Sequence, residues 1–303
     1  MDTSRLNGGP HGDAPGQYDV AILGAGPAGA AAAIEAATLG LRVVIIDEQT
    51  AAGGQVYRVA PGVMLSRSDH DRTDGDRLRA DLAASSVEHC FAHRVWHIER
   101  AQDQWLVHAL GPMGPRTIGA TALIVATGAQ ERHVPFAGWE RSGVMGLAAA
   151  TVQLKAQRVL PGRNVIVAGT GPLLLVVAKA IVEGGGRVVA VVDARSRGAW
   201  FTPLAGLLSR PDLVARGFGW VRTLRAQGVP LLHGHRLMAV EGDAPALRAT
   251  VVRVERDGRP AANSRTTEFA CDAVCCGYGL MPATDVTRLL GATHAFDPER
   301  GGW

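Results

Sequence analysis

Twice, about one domain apart, this chain runs an apolar strand into a glycine-rich turn and then into an apolar helix. The first unit is Tyr18–Leu23, then Gly24-Ala25-Gly26-Pro27-Ala28-Gly29, then an alanine-rich stretch. The second is Asn164–Ala168, then Gly169-Thr170-Gly171-Pro172. Such a turn requires a strand buried on both faces and a helix packed close behind it. Two of them predict an α/β fold with two Rossmann-like, three-layer dinucleotide-binding domains (ββα/βαβ), one inserted in the other. A protein that holds two dinucleotides is suited to electron transfer.

The 303 residues leave room for about two domains. Apolar residues make up 47% and charged residues 19%, the balance of a globular chain with a substantial core. The net charge of +3 is spread along the chain without a basic run, which argues against a nucleic-acid partner. Residues 1–17, rich in Gly, Pro, Asp and Asn, lack an apolar core and read as a disordered lead-in, not a secretory signal. Charged residues interrupt every long apolar stretch, so no membrane span is expected. The four cysteines, Cys90, Cys271, Cys275 and Cys276, make no disulfide framework. The last three are expected on one buried strand, and a reducing cytoplasm follows as the predicted location.

In the first unit Gly24 permits the tight turn, Gly26 lets backbone approach a pyrophosphate, and Gly29 lets the helix close on the strand. Pro27 suits the first helical turn, and the helix from Ala28 to Leu39 points its N-terminal N–H groups at the phosphates. The next strand, Leu41–Ile46, ends at Asp47-Glu48. An acid about 20 residues past the glycines hydrogen-bonds ribose hydroxyls, and both acids are candidates, Glu48 the stronger. A plain NAD-type strand ending in a solvated acid pair is the alternative. Further on, Thr121–Val125 reads as another buried strand, leading into Ala126-Thr127-Gly128. Between them, Asp76–Ser85 looks helical, and Val95–Ile98, Trp105–Ala109 and Arg116–Ile118 read as a small antiparallel sheet covering the domain.

In the second unit Gly169 and Gly171 match the first two glycines, but Leu174 stands where the third belongs. Pro172 opens the helix. The strand Arg187–Val192 ends at Asp193, which could meet a ribose 2′-hydroxyl and so favour NAD(H) or another adenine nucleotide. A retained Rossmann core whose site has decayed is the alternative.

Gly53-Gly54-Gln55 follows Glu48 by five residues, a spacing that resembles flavoprotein disulfide reductases and thioredoxin-reductase-like enzymes. The resemblance implies that Glu48 holds the adenosine ribose of FAD and that Gly54 and Gln55 run beside the flavin. Ala126-Thr127-Gly128 resembles the segment that rejoins the FAD domain there. The longer run Gly53-Gly54-Gln55-Val56-Tyr57-Arg58 narrows the likeness. It resembles the family that includes the A subunit of opine oxidase, the B subunit of hydrogen cyanide synthase and the α subunits of dye-linked proline and hydroxyproline dehydrogenases. Glu131-Arg132-His133-Val134-Pro135-Phe136, Gly171-Pro172-Leu173-Leu174-Leu175 and Cys276-Gly277-Tyr278-Gly279-Leu280-Met281-Pro282-Ala283-Thr284 resemble the same group.

The resemblance implies an FAD subunit of a heteromeric amino-acid, imino-acid or opine dehydrogenase. Its partner would be a second flavoprotein, similar to D-amino-acid dehydrogenase, that oxidises the amine. Peripheral membrane association through that complex is compatible with the likeness. In this family a strand ending in Gly-Asp closes the FAD site, and a Cys-rich iron–sulfur segment often follows. Here the chain ends at Gly301-Gly302-Trp303, so the sequence reads as a truncated product, a gene fragment or one piece of a split protein. The expected domains are 18–139 with 271–303 for FAD, incomplete at the C-terminus, and 140–270 for the second nucleotide.

No Cys-x-x-Cys lies near these motifs, which argues against disulfide exchange. Arg58, Arg132 and His133 are candidates to sit beside the flavin. His93 and His97 fall on a predicted strand, about 13 Å apart, too far to share a metal. His233 and His235 read as a loop feature. Trp200–Gln227 has helical spacing and could pack on its own domain or dock a partner. Two other functions stay open: a stand-alone NAD(P)H-dependent flavin reductase, and an inactive nucleotide-binding remnant.

Overall fold

The computed structural model describes residues 16–58, 70–196, 211–255, 257–262, 264–298 and 301–303. Contacts divide it into two units, with crossings at 128/129 and 281/282. Of the expected disordered lead-in, residues 1–15 lie outside the described residues, as does the first part of the helical segment from Trp200. Gly16 and Gln17 are corrected from lead-in to strand, since both pair in register with the neighbouring strand at Ile118 and Gly119.

The first unit is a six-stranded sheet. Its elements are β1 (Gly16–Leu23), α1 (Pro27–Thr38), β2 (Val43–Ile46), α2 (His70–Ala84), β3 (Glu88–Cys90), β4 (Arg94–Ala101), β5 (Gln104–Gly111) and β6 (Gly114–Val125). The order is β3-β2-β1-β6-β5-β4. β1 lies parallel between β2 and β6, and β3 is parallel to β2. β4, β5 and β6 pair antiparallel. Alternate residues of the parallel strands enter two cores. Ile22 and Ile45 pack with Ala30, Ala33 and Leu82 on one face. Leu23, Val44 and Ile46 pack with Val107, Ile118 and Ala120 on the other. That double burial is why these strands read as unbroken apolar runs.

Two further expectations are corrected here. The antiparallel strands are not a separate cover, because β6 is one 12-residue strand that pairs with β5 over Gly114–Ala120 and with β1 over Ile118–Val125. Nor is Thr121–Val125 buried on both faces. Leu123 and Val125 pack on the core, while Ala122 and Ile124 face outward.

The second unit begins with β7 (Ala129–Glu131), β8 (Val144–Gly146) and α3 (Leu147–Val152), which continues as a π-turn over Gln153–Gln157. Then come β9 (Asn164–Gly169), α4 (Leu173–Glu183), β10 (Arg187–Asp193), α5 (Pro211–Ala226), β11 (Leu231–His233) and β12 (His235–Glu241). The unit closes with β13 (Leu247–Arg253), β14 (Thr267–Cys271), β15 (Ala273–Gly277) and β16 (Leu280–Pro282). Five strands form a parallel sheet in the order β11-β10-β9-β15-β8, and β12-β13-β14 form an antiparallel one. One core joins the parallel sheet to α3, α4 and α5 through Leu174, Ile181 and Leu224. A second joins it to the antiparallel sheet through Ile166, Leu237 and Leu247. The layering is helix, parallel sheet, antiparallel sheet.

The return of the chain at 271 is also corrected. β15 pairs with β9 and β8 inside this unit, so the apolar run at 273–277 completes the second sheet and the crossing comes at 282. Residues 129–139 likewise belong to the second unit. The cysteines are divided between two strands, Cys271 ending β14 and Cys275 and Cys276 lying on β15. Asp272 makes the joint, its carboxylate accepting the N–H groups of Arg163 and Asn164. His233 and His235 are strand residues on either side of Gly234, not loop residues. A short helix, α6 (Asp285–Leu289), places Val286 on the core of the first unit.

Candidate nucleotide cradles

The first cradle is held by backbone crowding and by one carboxylate. Gly24 adopts φ +99°, and a Cβ there would overlap the Ala126 carbonyl. A Cβ at Gly29 would overlap the Gly24 carbonyl oxygen and stand 3.2 Å from the Ala126 side chain. Only glycine lets α1 pack this close to the strand ends. Gly26 is the N-cap of α1 with no side-chain cap, Pro27 opens the first turn, and Ala28 is exposed beside it. The cradle fits a phosphate: space over Gly26 is open, with Gly54 Cα 3.9 Å from a Cβ built there, and the helix end carries positive potential.

The adjacent acids divide their work. Asp47 accepts the N–H of Ala25 at 2.6 Å and that of Gln49 at 2.7 Å, so its carboxylate pins the glycine loop to the end of β2. Glu48 is 59% exposed in its side chain, 3.8 Å from the Arg94 guanidinium, and accepts from Gln49 Nε2 at 3.5 Å. Gly54 stacks on Gly26, while Gly53 donates its N–H to the Ala25 carbonyl at 2.8 Å. Gln55 is exposed and Arg58 half-buried after this turn. Ala126 continues β6, donating to the Leu23 carbonyl at 2.8 Å. Thr127 Oγ1 donates to the Ala283 carbonyl at 3.2 Å, and the Ala283 N–H to the Gly128 carbonyl at 3.0 Å. Gly24, Gly26, Asp47, Gly54 and Ala126 therefore converge, with Glu48 one residue beyond Asp47.

The second cradle repeats the plan with a different helix start. Gly169 has φ +139° and Gly171 φ +100°. α4 starts at Leu173, one motif position later than α1, after Pro172 as its N-cap. This shift makes room for Leu174, which is 1% exposed and fills the core. The ribose role expected of Asp193 is corrected. It is 2% exposed, and its carboxylate accepts the Arg195 N–H at 3.0 Å. Arg195 Nε lies 3.6 Å from it and His233 Nδ1 3.8 Å. The bond from two residues on is the one Asp47 makes with Gln49, so Asp193 is the counterpart of Asp47, and half-buried Ala194 stands in the place of Glu48.

Arg132 and His133 lie in the second unit; the Arg132 N–H donates to the Gly279 carbonyl at 2.9 Å. Their neighbour Glu131 has a role that sequence reasoning missed. Its carboxylate receives the N–H groups of Leu147 at 2.8 Å and Ala148 at 3.0 Å, capping α3. Burial raises its pKa, against the lowering effect of those two bonds and of nearby His133. A cap supplied from 16 residues upstream follows no local capping pattern.

Among curated proteins, the HcnB subunit of hydrogen cyanide synthase from Pseudomonas aeruginosa is 32% identical over 285 residues, covering 92% of this chain and 60% of that protein. The A subunit of opine oxidase from Agrobacterium tumefaciens is 30% identical over 302 residues, covering 93% and 56%. The chain thus spans a little over half the length of these relatives. Among solved structures, thioredoxin reductase from T. acidophilum superposes with a TM-score of 0.66 at 20% identity, over 94% of this chain and 83% of that one, a likeness of fold. The family model for pyridine nucleotide-disulphide oxidoreductases matches residues 18–296, and with two glycine cradles on parallel sheets behind that match, the chain belongs to this family.

Proposed function

We propose that the chain is an FAD-binding oxidoreductase subunit. It passes electrons during oxidation of an amino acid, imino acid or opine, beside a separate amine-oxidising flavoprotein similar to D-amino-acid dehydrogenase. The observation that carries the reading is the pair of carboxylates at the end of β2, Asp47 turned in to the glycine loop and Glu48 turned out. Gly24, Gly26, Pro27, Ala28 and Gly29 hold the pyrophosphate, and Glu48 accepts from the adenosine ribose. Gly54, Gln55, Arg58 and the Ala126-Thr127-Gly128 segment border the flavin. When bound, FAD would supply the hydride- and electron-transfer chemistry. The protein's part is to orient it and to set the charge around it, with Arg58 a donor suited to negative charge on the ring.

The relatives that support a heteromer are named as subunits of a synthase and of an oxidase. The second cradle, through Gly169, Gly171 and Pro172, takes an adenine nucleotide, NAD(H) among the candidates. Among the described residues no helix is long and apolar enough to cross a membrane. The free thiols of Cys90, Cys271, Cys275 and Cys276 support the reducing cytoplasm we propose as the location.

The test is spectroscopic. The purified chain is loaded with FAD, and its visible spectrum is followed anaerobically on adding amino acids or opines, with and without the partner subunit, and on adding NADH. Bleaching by an amine only with the partner present is expected. Bleaching by NADH alone would replace this reading with that of a stand-alone flavin reductase. A protein that takes up no FAD would refute both.

A further inference from the structure

We infer that Arg79, on α2, is a positioning residue for the cofactor-binding turn of the first cradle. The inference rests on the FAD reading for its ligand but stands on geometry independent of it. Among the described residues the turn 52–57 is tied to the glycine loop by the Gly53 N–H to the Ala25 carbonyl at 2.8 Å, and internally by the Tyr57 N–H to the Gly53 carbonyl at 3.0 Å. Arg79 Nη1 donates to the Ala52 carbonyl at 3.1 Å and to the Tyr57 carbonyl at 3.2 Å, bridging the two ends of the turn. Arg79 Nη2 donates to Asp76 Oδ1 at 2.7 Å, three residues back on the same helix, which fixes the plane of the fork.

The surroundings are cut to fit this arrangement. A Cβ at Gly53 would stand 2.9 Å from Arg79 Nη1, and one at Gly75 would stand 2.7 Å from Tyr57 Cβ and 3.1 Å from Arg79 Nη2. A Cβ at Gly54 would stand 2.9 Å from Gly26 Cα. Arg79 thus lies close on one side of the turn and Gly26 on the other, with no room for a side chain between. The Arg79 side chain is 24% exposed, so its bonds to the two carbonyls are only partly replaced by water when the guanidinium is removed. Lysine at this site carries the charge and could serve the two carbonyls from one nitrogen, but it has no second nitrogen to hold Asp76 at the same time. Arg79 touches neither the glycine loop nor Glu48 in any of these contacts. Its effect on a ligand at Gly26 passes through Gly54.

The experiment compares wild type with Arg79→Ala, Arg79→Lys and Asp76→Asn in two readouts. Without cofactor, hydrogen exchange at the Gly53 and Tyr57 amides reports the turn itself. Arg79→Ala is expected to lose protection at both while the β1 and β2 amides keep theirs. With cofactor, Arg79→Ala is expected to weaken FAD binding by about tenfold, the equivalent of one hydrogen bond to a charged group. Arg79→Lys should recover part of it and Asp76→Asn should lie between lysine and wild type. Unchanged exchange at Gly53 and Tyr57 overturns the clamp. Altered exchange with unchanged FAD affinity overturns the link to the ligand. If Arg79→Ala does not fold, Arg79→Lys and Asp76→Asn decide, since wild-type behaviour in both also overturns it. A wild-type protein with no affinity for FAD refutes the FAD reading and leaves the exchange result to judge the clamp.

Discussion

Neighbouring carboxylates at 47 and 48 should give opposite phenotypes when removed. Asp47 makes two charge-assisted bonds to backbone N–H groups, at 2.6 and 2.7 Å, in a half-buried setting. A hydrogen bond to a charged group contributes about 1.5–3 kcal/mol, and partial exposure puts the pair toward the lower end of the sum. Asp47→Ala should therefore cost about 3 kcal/mol, or roughly 6–12 °C in melting temperature for a domain of 150–250 residues. Glu48 has an exposed side chain whose nearest cation stands 3.8 Å away, so Glu48→Ala should change stability by less than about 0.5 kcal/mol. Its cost should fall on the ligand: losing a carboxylate–ribose bond weakens FAD binding by about 10- to 100-fold. Thermal melts of the cofactor-free proteins and FAD titrations followed by flavin fluorescence measure both. A Glu48→Ala protein that binds FAD like wild type, or an Asp47→Ala protein that melts like wild type, would refute the division of labour.

Gly29→Ala should cost more than about 2 kcal/mol and abolish FAD retention, since its Cβ meets backbone that cannot turn away; normal yield with a wild-type melt would show that the loop can shift. For Glu131, burial raises the folded pKa above the ordinary value of 4.5, so the native state binds the extra proton and stability falls as pH rises through the window above 4.5. Glu131→Gln should flatten that slope in pH-dependent denaturation curves, and an unchanged slope would mean that another group sets it.

The local pattern was enough to locate both cradles. A buried strand, glycines at fixed offsets and a helix are each dictated by near-neighbour sterics, so β1, α1, β9 and α4 were legible as elements, and Gly24, Gly26 and Gly29 as the glycines that the turn between β1 and α1 requires. Asp193 misled because an acid at a strand end looks the same whether it turns in or out. Burial to 2% and the bond from the Arg195 N–H, both consequences of packing, decide that it turns inward, while the glycine loop beside it is tied through the Thr170 N–H to the Gly277 carbonyl. The run at 273–277 could have completed either sheet, since a strand buried on both faces carries no mark of its neighbours; pairing with β9 and β8 settles it. Arg79 and Glu131 left no signal, because each acts on backbone 16 to 27 residues away, and a donor on a surface helix or an acid after a strand is commonplace. What sequence alone determined is what the chain does to itself over a few residues. Which polar groups are spent on the fold, and which remain for a ligand, was decided only when distant segments met.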